Sequence, residues 1–276
     1  MAGDARDGYD ELASHYNLIF ENSEAYISRQ AEALAPILKR ECHSAGTIRI
    51  LDCACGIGTQ ALGLTHMRFD VTASDLSPAS VARLRLEAFQ RGLDIHSFVA
   101  DMVDLNSIPE SNFDAVICMD NSLPHLESDE LLVRALGQMR MKLRPHGALM
   151  ASIRDDDRLV NEKPAVQGPA FYQDNGSRRI VVQVGDWLDE HRYVFHLYIT
   201  RETAYGWQTF HCTAGYRAIK EGQADERIEP SGVQKCALAL PDRRRILSTH
   251  SPRTSRRTRL SGPLVVKGSG GEFCEA

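Results

Sequence analysis

Several things are scarce or missing in this sequence, and each absence removes a class of function. No apolar run approaches the roughly 20 residues a membrane-spanning helix needs. The first residues, Met1 to Asp10, are acidic and polar rather than a basic leader, so a cytoplasmic protein without a membrane partner is expected. There are seven cysteines, an odd number, and Cys53 and Cys55 stand two apart with no second pair at zinc-ribbon distance. Neither a disulfide framework nor a metal centre is expected; the thiols read as buried free groups in a reducing compartment. Positive charge is not in excess. The formal net charge of -5 argues against nucleic acid as a partner. His191, His196 and His211 share no ligand spacing and read as polar-face residues of strands.

What is present is ordinary in amount and informative in order. At 276 residues, 43% hydrophobic and 25% charged, the chain can bury one large core, with or without an inserted subdomain. Tyr9 to Phe20 and Glu24 to Arg40 read as helices, the second with Ala31, Leu34, Ile37 and Leu38 at helical spacing. Ile48 to Cys53 reads as a strand ending at a glycine turn, and Phe69 to Ser74 as a strand ending at Asp75. Ile95 to Ala100 leads to Asp101, Phe113 to Met119 leads to Asp120, and Ala148 to Ile153 is the fifth strand. Helices fall between them, one opened by Ser77-Pro78 and another capped by Ser128 and ended by Pro145 and Gly147. The alternation predicts an α/β fold: a Rossmann-like, mostly parallel sheet with helices on both faces. After residue 155 the pattern changes. Ile180 to Gly185, His191 to Thr200 and Trp207 to Thr213 are strands without helices, joined by turns at Asn175-Gly176 and Asp189-Glu190. They predict an antiparallel layer over the substrate side of the sheet.

The chemistry-bearing positions lie at strand ends. Leu51 to Gly58 spells LDCACGIG, a strand, a glycine turn and a helix start, an arrangement that offers backbone N–H groups to a ligand. The third glycine of a dinucleotide fingerprint is Ala61 here, which argues against a nicotinamide dehydrogenase. A lone G-x-G is also compatible with a plain tight turn, and a lone Asp with a helix cap. Asp75, about twenty residues on, stands where a carboxylate can accept from ribose hydroxyls, and Asp101 where one can accept from an adenine amine. Gly, Asp and Asp on three successive strand ends point to a nucleoside-bearing cofactor.

With LDCACGIGT, DNSLPHL (Asp120 to Leu126) and Arg154 in IRDDD, the chain resembles the class I S-adenosylmethionine-dependent methyltransferases. Within them it is most similar to the glycine N-methyltransferase and glycine/sarcosine methyltransferase branch, from about Tyr9 to Lys220. The resemblance implies S-adenosyl-L-methionine as cofactor and a small-molecule methyl acceptor, with glycine or sarcosine amine first. It implies cofactor contacts from Tyr16, Arg29, Asp52, Ala54, Gly56, Gly58, Asp75, Leu76, Asp101, Met102, Met119 and Ser122. Tyr16 and Arg29 would close over the cofactor. Asn121, Ser122 and Arg154 would position the reacting groups, Arg154 by gripping a substrate carboxylate with its planar fork. A surface ion pair of Arg154 with Asp155 or Asp157 is the alternative. Where the relatives carry tyrosine two residues after that arginine, this chain has Asp156, a departure at the acceptor pocket. An Asp/Asn-Pro-Pro-aromatic turn, expected of enzymes that methylate nucleic-acid bases, is absent after the fourth strand. Other small O- or N-acceptors, or a cofactor-binding protein without turnover, are the competing readings.

Four segments follow: 1–45, helices closing over the cofactor; 46–154, the cofactor-binding core; 155–220, the antiparallel layer; and 221–276, a tail of different character. The tail is arginine-rich from Arg243 to Arg259 and ends in GSGGEFCEA. Codons shifted by one nucleotide permit Ala-Gly-Phe at Ser231 to Val233, Val-Arg-Trp-Leu-Cys across Cys236 to Pro241, and Gly-Phe-Tyr-Gln-Pro-Ile-Val across Arg245 to Pro252. Strings of that form close the sheet in the family. The expectation is a single-nucleotide frameshift near Lys220–Glu221, with the last strands missing, the tail disordered and an edge strand exposed.

Overall fold

Ile50 and Leu51 are fully buried on opposite faces of one strand, and that alternation organises the molecule. The computed structural model describes residues 5–42, 44–174 and 176–219, and two further strands at 233–237 and 264–268. Strand β1 (Arg49–Asp52) is an interior strand of a seven-stranded sheet. It pairs in parallel with β2 (Asp70–Asp75) on one side and β4 (Phe113–Cys118) on the other. Beyond them lie β3 (His96–Val99) and β5 (Leu143–Ala151), also parallel. Successive side chains point to opposite faces, so Ile50, Ile117 and Met150 join one core cluster while Leu51, Val116 and Leu149 join another. A sheet buried on both faces needs continuous apolar runs, and β4, buried along its whole length, has one from Ala115 to Cys118, after Asp114, which is paired with Arg144.

Helices α2 (Ser23–Cys42), α3 (Thr59–His66) and α4 (Pro78–Gln90) supply residues to the first cluster; α5 (Asp129–Lys142) covers the other face. Ser77 caps α4 by accepting from the Ser80 N–H at 3.0 Å, and Ser128 caps α5 from Leu131 at 3.3 Å. The predicted helix Tyr9 to Phe20 is instead α1 (Ala5–Leu12) followed by a 3₁₀ turn at Tyr16–Ile19. β5 begins at Leu143, ahead of the expected Ala148, so Pro145 and Gly147 lie inside a strand. A register shift between Phe113 and Ala115 of β4 lies opposite them, which is where a sheet tolerates proline.

The antiparallel layer has four strands, ordered β6 (Val166–Asp174), β7 (Ser177–Trp187), β8 (Arg192–Thr203) and β9 (Gly206–Arg217). β6 was not legible because Gly168-Pro169 interrupts it; the ladder shifts register between Gln167 and Ala170. A short helix, α6 (Asp156–Glu162), precedes the layer, capped by Asp155 accepting from Arg158 at 3.0 Å.

The expectation that the last strands are missing is corrected. β10 (Val233–Ala237) and β11 (Leu264–Gly268) form an antiparallel pair, and β11 lies antiparallel against β5, Leu264 opposite Ala151. The run Leu264-Val265-Val266 has the β-branched composition a strand favours, and it satisfies the open edge of β5. The remainder of the tail, where disorder and a frameshift were expected, lies outside the described residues. Among the described residues no helix is long and apolar enough to cross a membrane.

Candidate active site

Every group singled out at a strand end lies on the carboxyl edge of the parallel sheet. Gly56 and Gly58 follow β1 with φ of 53° and 97°, the left-handed region glycine enters without strain. They serve different ends. A Cβ on Gly58 would come within 2.3 Å of Leu84 Cδ1 on α4, whereas one on Gly56 would meet nothing within 4 Å. Gly58 permits helix packing, and Gly56 faces open space. The Gly56 N–H donates to Asp75 Oδ2 at 2.8 Å, and the Ser77 N–H to Asp75 Oδ1 at 2.9 Å. Each oxygen keeps a lone pair for another donor. Burial pushes the Asp75 carboxyl up, and these two N–H groups oppose it. The Ala100 N–H donates to the Asp75 carbonyl at 3.0 Å, which brings the Asp101 turn beside β2. Asp101 Oδ1 accepts from Val103 at 3.0 Å.

Asp52 lies behind the glycine turn, and neither carboxylate oxygen has a hydrogen-bond partner. Burial first, then the charges of Asp75 and Asp120, push it up to about 8, while the nearby Ala54 and Ala61 N–H dipoles, which act on it without closing a full hydrogen bond, offset part of this. Three carboxyl groups thus share one region. They favour a cationic ligand.

Helix α1 straps this edge. Asp10 accepts from the Ser77 hydroxyl and from the Ala79 N–H at 3.1 Å, the first turn of α4. The neighbouring Tyr9 hydroxyl lies 2.8 Å from His125 Nε2. His125 Nδ1 lies 2.9 Å from the Gly215 carbonyl. A carbonyl can only accept, so Nδ1 carries the proton and Nε2 accepts from Tyr9. Burial, opposed by Gly215 and reinforced by the Arg154 charge, lowers His125 to about 4. The ring is neutral at ordinary pH.

The ends of β4 and β5 build the acceptor side. Asp120 and Asn121 both have positive φ, 58° and 69°, a pair of left-handed residues that only tight stitching holds. The Asp120 N–H donates to Ser152 Oγ at 2.7 Å, the Asn121 N–H to the Ser152 carbonyl at 3.1 Å, and the Arg154 N–H to Asn121 Oδ1 at 2.9 Å. Ser122 turns its hydroxyl back onto the Met119 carbonyl at 2.7 Å. The Arg154 guanidinium lies 4.9 Å from the Phe195 ring centre and 5.0 Å from that of Tyr216. Asn121 Nδ2 and Arg154 Nη1 are both buried without a hydrogen-bond partner. Asp156 is buried too, accepting from Tyr193 Oη at 3.3 Å and the Ile219 N–H at 2.8 Å. Burial raises it to about 6, against the pull of Ile219 and Arg154.

Gly56, Asp75, Asp101 and Asp52 come together, as do Asn121, Ser122, Met119 and Arg154. Tyr16 is half-buried, and its charge would bear on Tyr9. Ala54, Leu76 and Met102 are half-buried beside the same loops. Arg29 differs: it stands exposed on α2. The α2 side chain that reaches the site is Tyr26, whose hydroxyl donates to Asp120 Oδ1 at 3.3 Å and whose ring stacks on Phe20 at 4.0 Å. Tyr26, Tyr9, Asp10, Tyr193 and Tyr216 carried no motif; only their helical or alternating positions hinted at burial.

Residues 50–147 match the family described as a methyltransferase domain. Over 138 residues the chain is 33% identical to the glycine/sarcosine N-methyltransferase of Parasynechococcus marenigrum (strain WH8102), covering 50% of this chain and 49% of that protein. Over 117 residues it is 33% identical to the ubiquinone biosynthesis O-methyltransferase of Xanthomonas axonopodis pv. citri (strain 306), covering 42% of this chain and 45% of that one. The chain thus spans about half the length of these relatives. An S-adenosylmethionine-dependent methyltransferase from Clostridium acetobutylicum ATCC 824 shares the fold, with a TM-score of 0.70 at 16% identity, over 88% of this chain and 92% of that one.

Proposed function

We propose, from a chain whose residues 50–147 form a methyltransferase domain and whose motifs resemble the glycine/sarcosine branch, that the protein transfers a methyl group from S-adenosylmethionine to a small amine bearing a carboxylate. Glycine and sarcosine are the first candidates, and the cytoplasm is the compartment that suits the buried free thiols.

The residues present suit the cofactor. Gly56 leaves open space where a side chain would intrude. Asp75 has lone pairs to spare for a ribose diol, with Asp101 next to it for the adenine end. Asp52, unpartnered and buried, complements the ammonium of the methionine part, and the shared carboxylates favour a sulfonium. S-adenosylmethionine, when bound, supplies a methyl group open to in-line displacement by a nucleophile. Asn121 and Arg154 then fix the acceptor, because position contributes most of the rate when the cofactor carries the reactivity.

One observation carries the carboxylate class. Asn121 Nδ2 and Arg154 Nη1 are buried donors without acceptors, on two residues that touch through the Arg154 N–H. Buried donors left unpaired cost about 1–3 kcal/mol each, and a carboxylate, with two acceptor oxygens, is the group suited to both. Arg154 does not form the surface ion pair with Asp155 or Asp157 that was the alternative; its guanidinium lies between two aromatic rings.

A second reading, transfer to a hydroxyl of another small metabolite, draws on the likeness to the O-methyltransferase and on Asp156 where the branch has tyrosine. Turnover of methyl-labelled cofactor against glycine, sarcosine, amines without carboxylate and phenols separates the two. Label on glycine or sarcosine supports the proposal. Label on phenols alone, or cofactor binding without turnover, overturns it.

A further inference from the structure

Strand β7 presents an ordered set of side chains to the face of the antiparallel layer that points away from the site. Arg179, Val181 and their alternates pack inward, Val181 among Leu12, Leu197 and Ile199. The outward set is Arg178, Ile180, Val182, Val184 and Asp186: a cation, three β-branched apolar residues and an anion. Register extends the pattern sideways. Phe171 of β6 lies opposite Ile180, and Val166 opposite Val184. Phe171 is 70% exposed and Val166 54%, while Ile180, Val182 and Val184 are half-buried. Arg178 is held by Glu202 at 2.8 Å at one end, and Asp186 by His196 at 3.0 Å at the other.

An apolar stripe bounded by opposite charges is complementary to itself. We propose that two copies of this chain stack these outer faces about a two-fold axis lying in the interface, across the strands and level with Val182. That operation runs β7 antiparallel to its copy. Val182 meets Val182 of the other copy, Ile180 meets Val184, Phe171 meets Val166, and Arg178 meets Asp186 at both ends. The Val182 pair lies on the axis and every other contact occurs twice, as an isologous interface requires, and aligned sheets pack this way about 10 Å apart. The charges select the axis. A two-fold along the strands would set Arg178 on Arg178 and Asp186 on Asp186, which is repulsive. The occupant is a second copy rather than another protein because the pattern along β6 and β7 supplies its own complement.

Sedimentation equilibrium of the full chain over a range of micromolar loadings tests the proposal. The wild type is expected at twice the chain mass, and Val182→Arg at the chain mass. Arg178→Glu and Asp186→Arg are exposed changes that leave the inner face intact. Each is expected to raise the dimer dissociation constant about tenfold or more, because each alters two symmetric contacts. The double variant Arg178→Glu/Asp186→Arg re-pairs the charges across the interface but loses the Glu202 and His196 pairings within the chain, and it is expected to dimerise more tightly than either single variant. A monomeric wild type at every loading overturns the proposal. So does a Val182→Arg protein that remains dimeric, or a double variant no tighter than the single ones.

Discussion

The backbone N–H of Arg154 donates to the side-chain oxygen of Asn121 at 2.9 Å, so the loops after β4 and β5 are tied by one amide. The same side chain leaves Nδ2 free and buried, and its backbone sits at φ 69°. Asparagine is among the few residues that tolerate that conformation.

Three demands on one residue can be pulled apart by substitution. Asn121→Gly keeps the backbone and loses both side-chain roles. Asn121→Ala adds strain of about 1–2 kcal/mol for a left-handed residue. Both variants are expected to raise the acceptor KM, lower kcat and lower Tm, Asn121→Ala by several degrees more than Asn121→Gly. Equal Tm losses in the two would show that the tie, not the conformation, holds the turn.

Arg154 is expected to be intolerant even of lysine. A lysine keeps the charge but not the planar group between Phe195 and Tyr216, nor the paired donors. Arg154→Lys is expected to raise KM for a carboxylate-bearing amine at least tenfold, while calorimetry shows unchanged cofactor affinity. Asp75→Ala should do the reverse and abolish cofactor binding. An Arg154→Lys enzyme with wild-type KM would remove the carboxylate from the substrate class.

Asp52 links stability to pH. Its folded-state value of about 8 lies above the ordinary 3.8. The stabilisation relative to an ionised Asp52 is therefore complete below about pH 4 and is lost as pH rises through 8. Asp52→Asn removes the titration. Its Tm is expected to gain on the wild type steadily between pH 4 and 8 and then level off, while its cofactor affinity falls because the ammonium loses its partner. A Tm difference flat across this range would contradict the burial of an uncompensated carboxyl.

The sequence showed the five parallel strands because each is a short apolar run ending in Asp, Gly or a turn, and that punctuation is local. The strand-end positions of Gly56, Asp75 and Asp101 were legible for the same reason. What it hid depends on partners far along the chain. Nothing near Asp10 says that it will meet the first turn of α4, and nothing near Tyr26 says that it will reach Asp120. β6 was hidden by Gly168-Pro169, and β11 by its setting in an arginine-rich, low-pattern tail, although Leu264-Val265-Val266 is a strand signal by composition. Arg29 was placed by resemblance alone; the helical phase of α2 turns Tyr26 inward and leaves Arg29 exposed.

The final strands bear on the reading frame. As written, the last strand is Leu264–Gly268, whereas the shifted codons would offer Gly-Phe-Tyr-Gln-Pro-Ile-Val already across residues 245–252. The two strings belong to different reading frames, so each chain offers the edge of β5 a different strand. Sequencing the locus is expected to show a one-nucleotide offset near Lys220–Glu221, and the frame-restored protein is expected to melt higher than the chain as written. An undisturbed upstream frame whose shifted codons encode no such peptide ends that expectation.

His125 should set the acid limit. Its folded-state value of about 4 lies below the ordinary 6.5, so its contribution to stability is full above pH 6.5 and is lost as pH falls toward 4. A second consequence is local. A protonated His125 could no longer accept from Tyr9, and its charge would oppose that of Arg154. Loosening of the strap should therefore accompany the loss of stability. Limited proteolysis at α1 is expected to accelerate between pH 6 and 4 in the wild type. His125→Asn, which cannot take up the proton, is expected to be cut at a rate independent of pH in that window. Equal acceleration in both proteins would place the acid-sensitive group elsewhere; Asp156, raised to about 6, is not that group, because its protonation on acidification favours the folded state.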